Sequence, residues 1–391
     1  MSDIIVIGGS IMGSSFAYHM GMAGEAGAVT VIEPDPGYEF SAAPRSAGGV
    51  RLMHGLRENV EMSQYGQEVY RDFARLMDVD GEPGTFSFRE LGYLHLVSGA
   101  KAAADIEANC ELQNSLGAKN ILLSPDEVKA KWPLIHTDDL DLALHGPDDG
   151  FIDPYAAVTG FRRKAENLGV KYVKDRVVAI STSGGKATGV TLKSGQELKA
   201  DVIVNVAGAW APEVCAMVGM KLPVEPRFRA TFYFEAEDDV TPMPLTKDSG
   251  EASIRTEGKG FATVMAMPED KAGFRWEVTQ SDHDLFDARR WPAIAHRFPV
   301  FERIKVVRTW PGHYAVNWMD GNTIIGPWIG ALENFIVATG FTGAGLQKGP
   351  AIGRALSELV LKGRYETIDL SRLSYQRVLD DAPLRETGFS A

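Results

Sequence analysis

Two glycine clusters in this chain have the types and spacing to hold an anion. In the first, IIVIGGSIMG (residues 4–13), Gly8, Ser10 and Gly13 fill the places of a GxGxxG loop, with Gly9 beside the turn and serine in the middle place. Each place has a mechanical role, namely a tight turn, a close backbone approach to pyrophosphate, and close packing of the next helix on the strand. The Ser10 hydroxyl can donate to phosphate, while backbone amides at the helix start remain anion donors. Glu33 follows Gly13 by 20 residues, the spacing of a carboxylate that binds a free ribose 2′-OH. This pattern predicts an adenine dinucleotide, nicotinamide or flavin. In the second cluster, ATGFTGAGLQKG (residues 338–349), Gly340, Gly343 and Gly345 lead from an apolar run into a helix. Amides at that helix start form a second anion or oxyanion site. Loops about 330 residues apart suit a ligand with pyrophosphate at one end and a polar ring at the other. A flavin fits, because its N1–C2 carbonyl region gains negative charge on reduction.

Elements must hold these loops. Residues 4–33 read as strand, turn, helix (14–26) and a second strand of the parallel-sheet type. Helical spacing recurs over 60–77, 100–116 and 154–169, and Ser124 caps a short helix. Strands are expected at 84–97, through 171–208, and then largely from 223 to 310, including RFRATFYFEAE, GFATVMAMP and FRWEVTQ. Strand, glycine-rich turn and long helix return over 322–363. Parallel α/β segments at both ends and in the middle, separated by strand-rich insertions, predict one domain assembled from discontinuous pieces. The polar tail after Leu373 reads as a flexible end or an interface.

Composition excludes several classes. A formal charge of −12 argues against nucleic-acid binding. No run of eighteen apolar residues offers a membrane span. Asp3 precedes the first apolar run with no basic residue, unlike a secretory signal. Two distant cysteines, Cys110 and Cys215, argue against a disulfide framework and for a cytoplasmic setting. The eight histidines are scattered, with His136 and His145 nine apart, so no metal is expected.

The segments IIVIGGSIMGSSFAYHM, SAGGVRLMH, ELGYLHLV, DDGFIDPYA, VNVAGAWAP and ATGFTGAGLQKGPAIG resemble the D-amino-acid oxidase superfamily, in family order and over nearly the whole chain. The sarcosine and glycine oxidase branch is the nearer likeness. The C-terminal run is most similar to bacterial relatives of the mitochondrial FAD-dependent oxidoreductase-domain protein linked to complex I assembly. The resemblance implies an α/β (α+β overall) chain. Its parts would be a Rossmann-like FAD-binding domain of the glutathione-reductase type (1–84, 151–219 and 320–391) and a substrate domain on a large, mainly antiparallel sheet (85–150 and 220–319). It implies FAD, held as a tight prosthetic group. Ser10, Ile11 and Met12 would face the pyrophosphate, Glu33 and Pro34 the ribose, and Val177 the adenine. Arg45, Ser46, Ala47, Gly48 and Gly49, with Ala207, Gly208 and Trp210, would line the flavin. Gly340, Thr342, Gly343, Ala344, Gly345, Leu346 and Gln347 would complete that wall.

Relatives of this kind move a hydride from the carbon beside an amine nitrogen to flavin N5, and the imine hydrolyses. The resemblance places Arg51, His54 and Tyr314 beside the ring and substrate. Gln347 stands where sarcosine oxidases carry a carboxylate-binding lysine, with Lys348 one residue later and about a hundred degrees away on a helix. Arg51, Arg255 or another basic residue is the alternative anchor. Sarcosine oxidases attach flavin through a cysteine just before this tyrosine, but WPGHY (residues 310–314) has none, so dissociable FAD is expected, with His313 a conceivable link. The oxygen-activating lysine of the family would fall near Ala262, with Lys259 displaced from it, so O2 and another electron acceptor stay open. The expected substrate is a small secondary or N-substituted amino acid such as sarcosine, dimethylglycine, an iminodiacetate or an imino acid. Two other readings stand beside it: a scaffold or assembly protein with structural FAD, and a 2-hydroxy-acid dehydrogenase.

Overall fold

The run Ile4–Ile7 is buried residue by residue, and parallel strands lie on both sides of it, Val29–Ile32 and Val202–Asn205. Such a strand carries no polar alternation because helices or other layers cover both faces. The structure, a computed structural model, describes residues 1–248, 252–266 and 271–388. Its first sheet orders six strands as 324–328, 332–339, 202–205, 4–7, 29–32 and 171–173. All pair in parallel except the hairpin partner Ile324–Trp328.

The helix after Gly8 starts at Ile11, three residues before the expected Ser14, and is buried through Met20. Helix Gly345–Lys362 packs directly on it. A Cβ on Gly349 would lie 2.6 Å from Ile11 Cγ1, and one on Gly353 would strike Ser15. Small residues thus let two helix starts converge on one side of the sheet.

The second large sheet orders eight strands as 304–317, 224–236, 260–266, 253–257, 245–248, 93–97, 142–146 and 121–123. It is antiparallel apart from the pair Tyr93–Val97 and Leu245–Asp248. Its longest strand, Ile304–Asn317, carries Pro311 and forms an edge, where a missing amide is tolerated. A small sheet of Gly49–Val50, Phe88–Arg89 and Gly150–Ile152 crosses between the large ones.

Several expectations change. The 84–97 run forms only Phe88–Arg89 and the fully buried Tyr93–Val97, because Gly92 turns at φ 85° between them. Helix 60–77 runs instead from Arg57 to Arg71, with a short turn Phe73–Leu76 after it. FRWEVTQ (274–280) is no strand. Its residues 274–279 are an irregular strap, and its aromatic rings pack on Trp210 rather than joining a ladder. In GFATVMAMP the strand covers Gly260–Ala266, and its last two residues lie outside the described ones. The tail after Leu373 is docked: Arg377 pairs with the fully buried Asp320, and Glu386 accepts from the Gly55 and Leu56 amides.

Candidate active site

A cavity of about 700 Å³ runs along the loops that follow strands 4–7, 29–32, 202–205 and 332–339. Open α/β sheets bind ligands at this end of their strands. At one end lie Glu33, Pro34 and Val177. Burial pushes the Glu33 carboxyl up, while the Gly9 and Asp35 amides donate to its two oxygens at 2.8 Å each and fix its direction. In the middle, Gly8, Ser10, Ile11 and Met12 line the wall. Gly8 takes φ 103°, and a Cβ there would stand 2.8 Å from the Val206 carbonyl oxygen. Gly13 faces inward instead, where any side chain would collide with the Gly8 carbonyl. Ser10 Oγ lies 2.6 Å from Ser41 Oγ, so the serine in the middle place ties the loop to the segment opposite.

At the far end, Ala207, Gly208, Trp210, Tyr314, Gly343, Gly345 and Leu346 line the cavity with Ser46. Gly343 has φ 89°, and a Cβ on it would meet the Tyr314 ring at 2.6 Å. The turn is completed by Gly340 at φ 75° and Thr342 at φ 46°, whose hydroxyl accepts from the Asn317 amide. Ala344 is the last residue before the helix. The strap adds Phe274, stacked on Trp210 at 4.5 Å, and Trp276, which meets His313 edge-on at 4.4 Å. The Arg275 amide donates to His313 Nε2 at 2.9 Å.

Arg45, Ala47, Gly48, Gly49, Arg51, His54, Thr342, Gln347 and Lys348 do not line this cavity. Arg45 donates to the Glu39 and Pro311 carbonyls and opens on a second cavity. Gly48 and Gly49 carry the chain past Ile152 into the short strand before Arg51. Gln347 then fixes that strand: its Oε1 accepts from the Arg51 amide at 3.0 Å, and its Nε2 contacts His54 Nε2 at 2.8 Å. Because Gln347 Nε2 can only donate, His54 Nε2 accepts and Nδ1 carries the proton. Burial, with Lys348 and Arg51 nearby, keeps that imidazole neutral. Lys348 points to Asn59 Oδ1 at 2.7 Å, and burial lowers its pKa to about 8. Gln347, His54 and Lys348 therefore form a buried support behind Arg51.

Arg51 itself turns toward the eight-stranded sheet, with its guanidinium 5.5 Å from the Tyr93 ring centre. On strand Tyr93–Val97, Tyr93 and His95 share a face, and His95 pairs in register with Lys247 of the parallel neighbour. Arg229 sits 4.9 Å from the Tyr314 ring centre. Burial and the charges of Lys247 and Arg51 drive His95 down to about 3. Burial, with Arg51 and Arg290, brings Lys247 to about 8. Burial also pushes the Tyr93 and Tyr314 phenols up, so both hydroxyls stay protonated near neutrality. Behind them the fully buried Asp149 accepts from the Leu52 amide at 3.1 Å and Gln67 at 2.7 Å, and burial raises it to about 7. Tyr93, His95, Arg229, Lys247 and Asp149 were absent from the expected set. Arg255 stands apart from the group, against Phe151 and paired with Glu257. Far from the cavity, His136, Asp139 and His296 bring ligand atoms within 4.8 Å, but Arg297 holds both Asp139 oxygens at 2.8 and 3.1 Å.

The donor set fits a flavin dinucleotide: an oriented carboxylate at one end, a glycine turn that a Cβ would fill in the middle, and a helix start beside an aromatic wall at the other. Known proteins bear on this geometry. Residues 3–359 match the FAD dependent oxidoreductase family, DAO. The chain is 33% identical to FAD-dependent oxidoreductase domain-containing protein 1 of Xenopus laevis, covering 98% of this chain and 84% of that protein. It is 26% identical to mitochondrial sarcosine dehydrogenase of Mus musculus, over 93% of this chain and 40% of that one. The structure of L-proline dehydrogenase from P. horikoshii superposes with a TM-score of 0.86 at 27% identity, covering 98% and 99% of the two chains. The residues along the strand ends fit such a cofactor, and this chain belongs to the DAO family of FAD-dependent oxidoreductases.

Proposed function

We propose that this protein oxidises a small secondary or N-substituted amino acid at the carbon beside nitrogen, releasing an imine that water hydrolyses. The observation that carries the reading is Arg51, held over Tyr93 by the Gln347 and Asp149 contacts to its backbone segment, close to Tyr314 in the cavity wall. The names of relatives agree with it: a proline dehydrogenase, a sarcosine dehydrogenase and a 4-methylaminobutanoate oxidase are each named for a secondary amine. We also take the six-stranded sheet as the core of the cofactor domain (1–84, 151–219 and 320–391) and the eight-stranded sheet as that of the substrate domain (85–150 and 220–319).

FAD, when bound along Glu33, Ser10 and Trp210, would supply the acceptor for a hydride and its two electrons. The chain's own residues do the rest. The Arg51 fork binds the substrate carboxylate and fixes the reacting carbon. The protonated Tyr93 and Tyr314 hydroxyls donate to the same carboxylate. Lys247, titrating near 8, takes the proton from the incoming ammonium so that nitrogen can release its lone pair into the forming imine. His95, driven to about 3, stays neutral and is too weak a base for that step. FAD is held without a covalent bond, since no cysteine precedes Tyr314 in WPGHY.

Product analysis tests the reading. Incubation with sarcosine, iminodiacetate, proline and matched 2-hydroxy acids should yield a carbonyl compound and an amine only from the nitrogen compounds, both groups on one opened chain in the case of proline. A keto acid formed from a hydroxy acid alone would replace this reading. No product from any compound would favour structural FAD in a scaffold protein.

A further inference from the structure

A second cavity, of about 540 Å³, opens beside the first, sharing Ser46 with it and lying across the 37–46 segment. Four arginines border it: Arg45, Arg89, Arg255 and Arg308. Three acids border it too: Glu39, Asp153 and Glu257. Asp153 caps the helix Pro154–Asn167 by accepting from the Tyr155 and Ala156 amides at 3.0 Å, and Glu257 pairs with Arg255. Arg45 gives its Nε and Nη1 donors to two carbonyls. Arg89 and Arg308 have no carboxylate partner among the described residues. Arg255 is 9% exposed, and its Nε is buried without a hydrogen-bond partner. Arg308 lies 5.3 Å from the Trp310 ring centre, which adds an apolar platform.

Bringing like charges together around a cavity costs free energy unless an anion joins them. A buried guanidinium with an unused N–H is costly for the same reason. Glu257 offsets only part of this charge, at Arg255, whose Nε still lacks a partner, and the walls of the first cavity use none of Arg89, Arg255 and Arg308. The chain as a whole is acidic, at −12, so local rather than global charge makes this spot attractive to anions.

We propose that this second cavity binds a small molecule bearing two or more carboxylate or phosphate groups, gripped by Arg89, Arg255 and Arg308 at the edge of the cofactor site. The ligand is either the distal arm of a polyanionic substrate or a separate effector. Its chemistry is the same in both cases.

Calorimetry on the FAD-loaded protein, with citrate and inorganic pyrophosphate as probes and glycerol as control, tests the site without turnover. Failure of amine oxidation would therefore leave the result standing. Saturable binding of at least one probe is expected, weaker at high salt, and roughly tenfold weaker in Arg89→Gln and in Arg308→Gln. Both arginines are exposed, and an unchanged bound-flavin spectrum would certify the fold of each variant. Preference between citrate and pyrophosphate separates carboxylate from phosphate recognition. A bound probe that slows flavin reduction competitively marks a substrate arm, whereas one that leaves it unchanged marks an effector. No binding at millimolar probe, or binding equal in wild type and both variants, would overturn the proposal.

Discussion

At the residue scale, two positions matter most to the proposed chemistry, and they differ in how far the sequence shows them. Gly343 is legible there, since a glycine-rich turn before a helix carries its own local signal. The structure adds the reason: its φ of 89° and the Tyr314 ring at 2.6 Å from a Cβ leave no room for alanine. Gly343→Ala should push Tyr314 off its place and slow anaerobic flavin reduction roughly a hundredfold, with FAD still bound; stopped-flow absorbance would check it. Lys247 is not legible. Its meeting with His95 depends on a parallel pairing between strands about 150 residues apart, and no spacing within either strand reveals it. As the base proposed here, with a pKa near 8, it gains activity as it loses its proton, so kcat/KM should rise as pH climbs through about 8. Lys247→Gln should flatten that rise and lower the plateau by roughly a hundredfold. A pH profile of the variant identical to wild type would remove Lys247 from the mechanism.

At the element scale, the short strand Gly49–Val50 and the Arg51 after it are held from three sides. Phe151 pairs with it, Gln347 holds the Arg51 amide, and Asp149 holds the Leu52 amide. Asp149 is the costly member. An unfolded carboxyl titrates near 4, whereas in the fold burial raises it to about 7. The folded state therefore holds one more proton between those values, and stability falls as pH rises through that window. Asp149→Asn keeps the acceptor oxygen and cannot ionise. Its melting temperature relative to wild type at the same pH should climb from pH 4 to 7 and reach an excess of a few degrees above pH 7, by calorimetry at matched salt. The same support reaches the C-terminus, where Glu386 accepts from Gly55, Leu56 and Asn59. A tail that is polar in sequence gave no sign of this, because the partners it satisfies include backbone amides more than 300 residues away.

At the scale of the whole molecule, the discontinuous α/β organisation is readable because buried parallel strands look alike wherever they occur in the chain. Ile4–Ile7, Val202–Asn205 and Leu332–Thr339 are all near-continuous apolar runs, and they lie side by side. What sequence missed are pieces whose conformation is set by distant contacts. FRWEVTQ carries strand-like residues but is drawn into the Trp210 stack, and Ile304–Asn317 hides a long edge strand behind Pro311 and scattered charges. The cavity proposed for FAD threads through elements from all parts of the chain, so the cofactor bound there should stabilise the whole fold by mass action. With no cysteine in the run before Tyr314, acid precipitation should leave the yellow colour in the supernatant and the pellet colourless; flavin retained in the pellet would point to a covalent bond, His313 being the nearest candidate.

The most direct test of the central claim is an anaerobic absorbance titration of the FAD-loaded protein with sarcosine, proline, iminodiacetate and their 2-hydroxy-acid counterparts, repeated with deuterium on the carbon beside nitrogen. The oxidised flavin bands should be lost with at least one N-substituted amino acid, more slowly with deuterium at that carbon, and should persist with hydroxy acids. Bleaching by hydroxy acids alone, or flavin bands that none of these compounds changes, would contradict amine oxidation by this site.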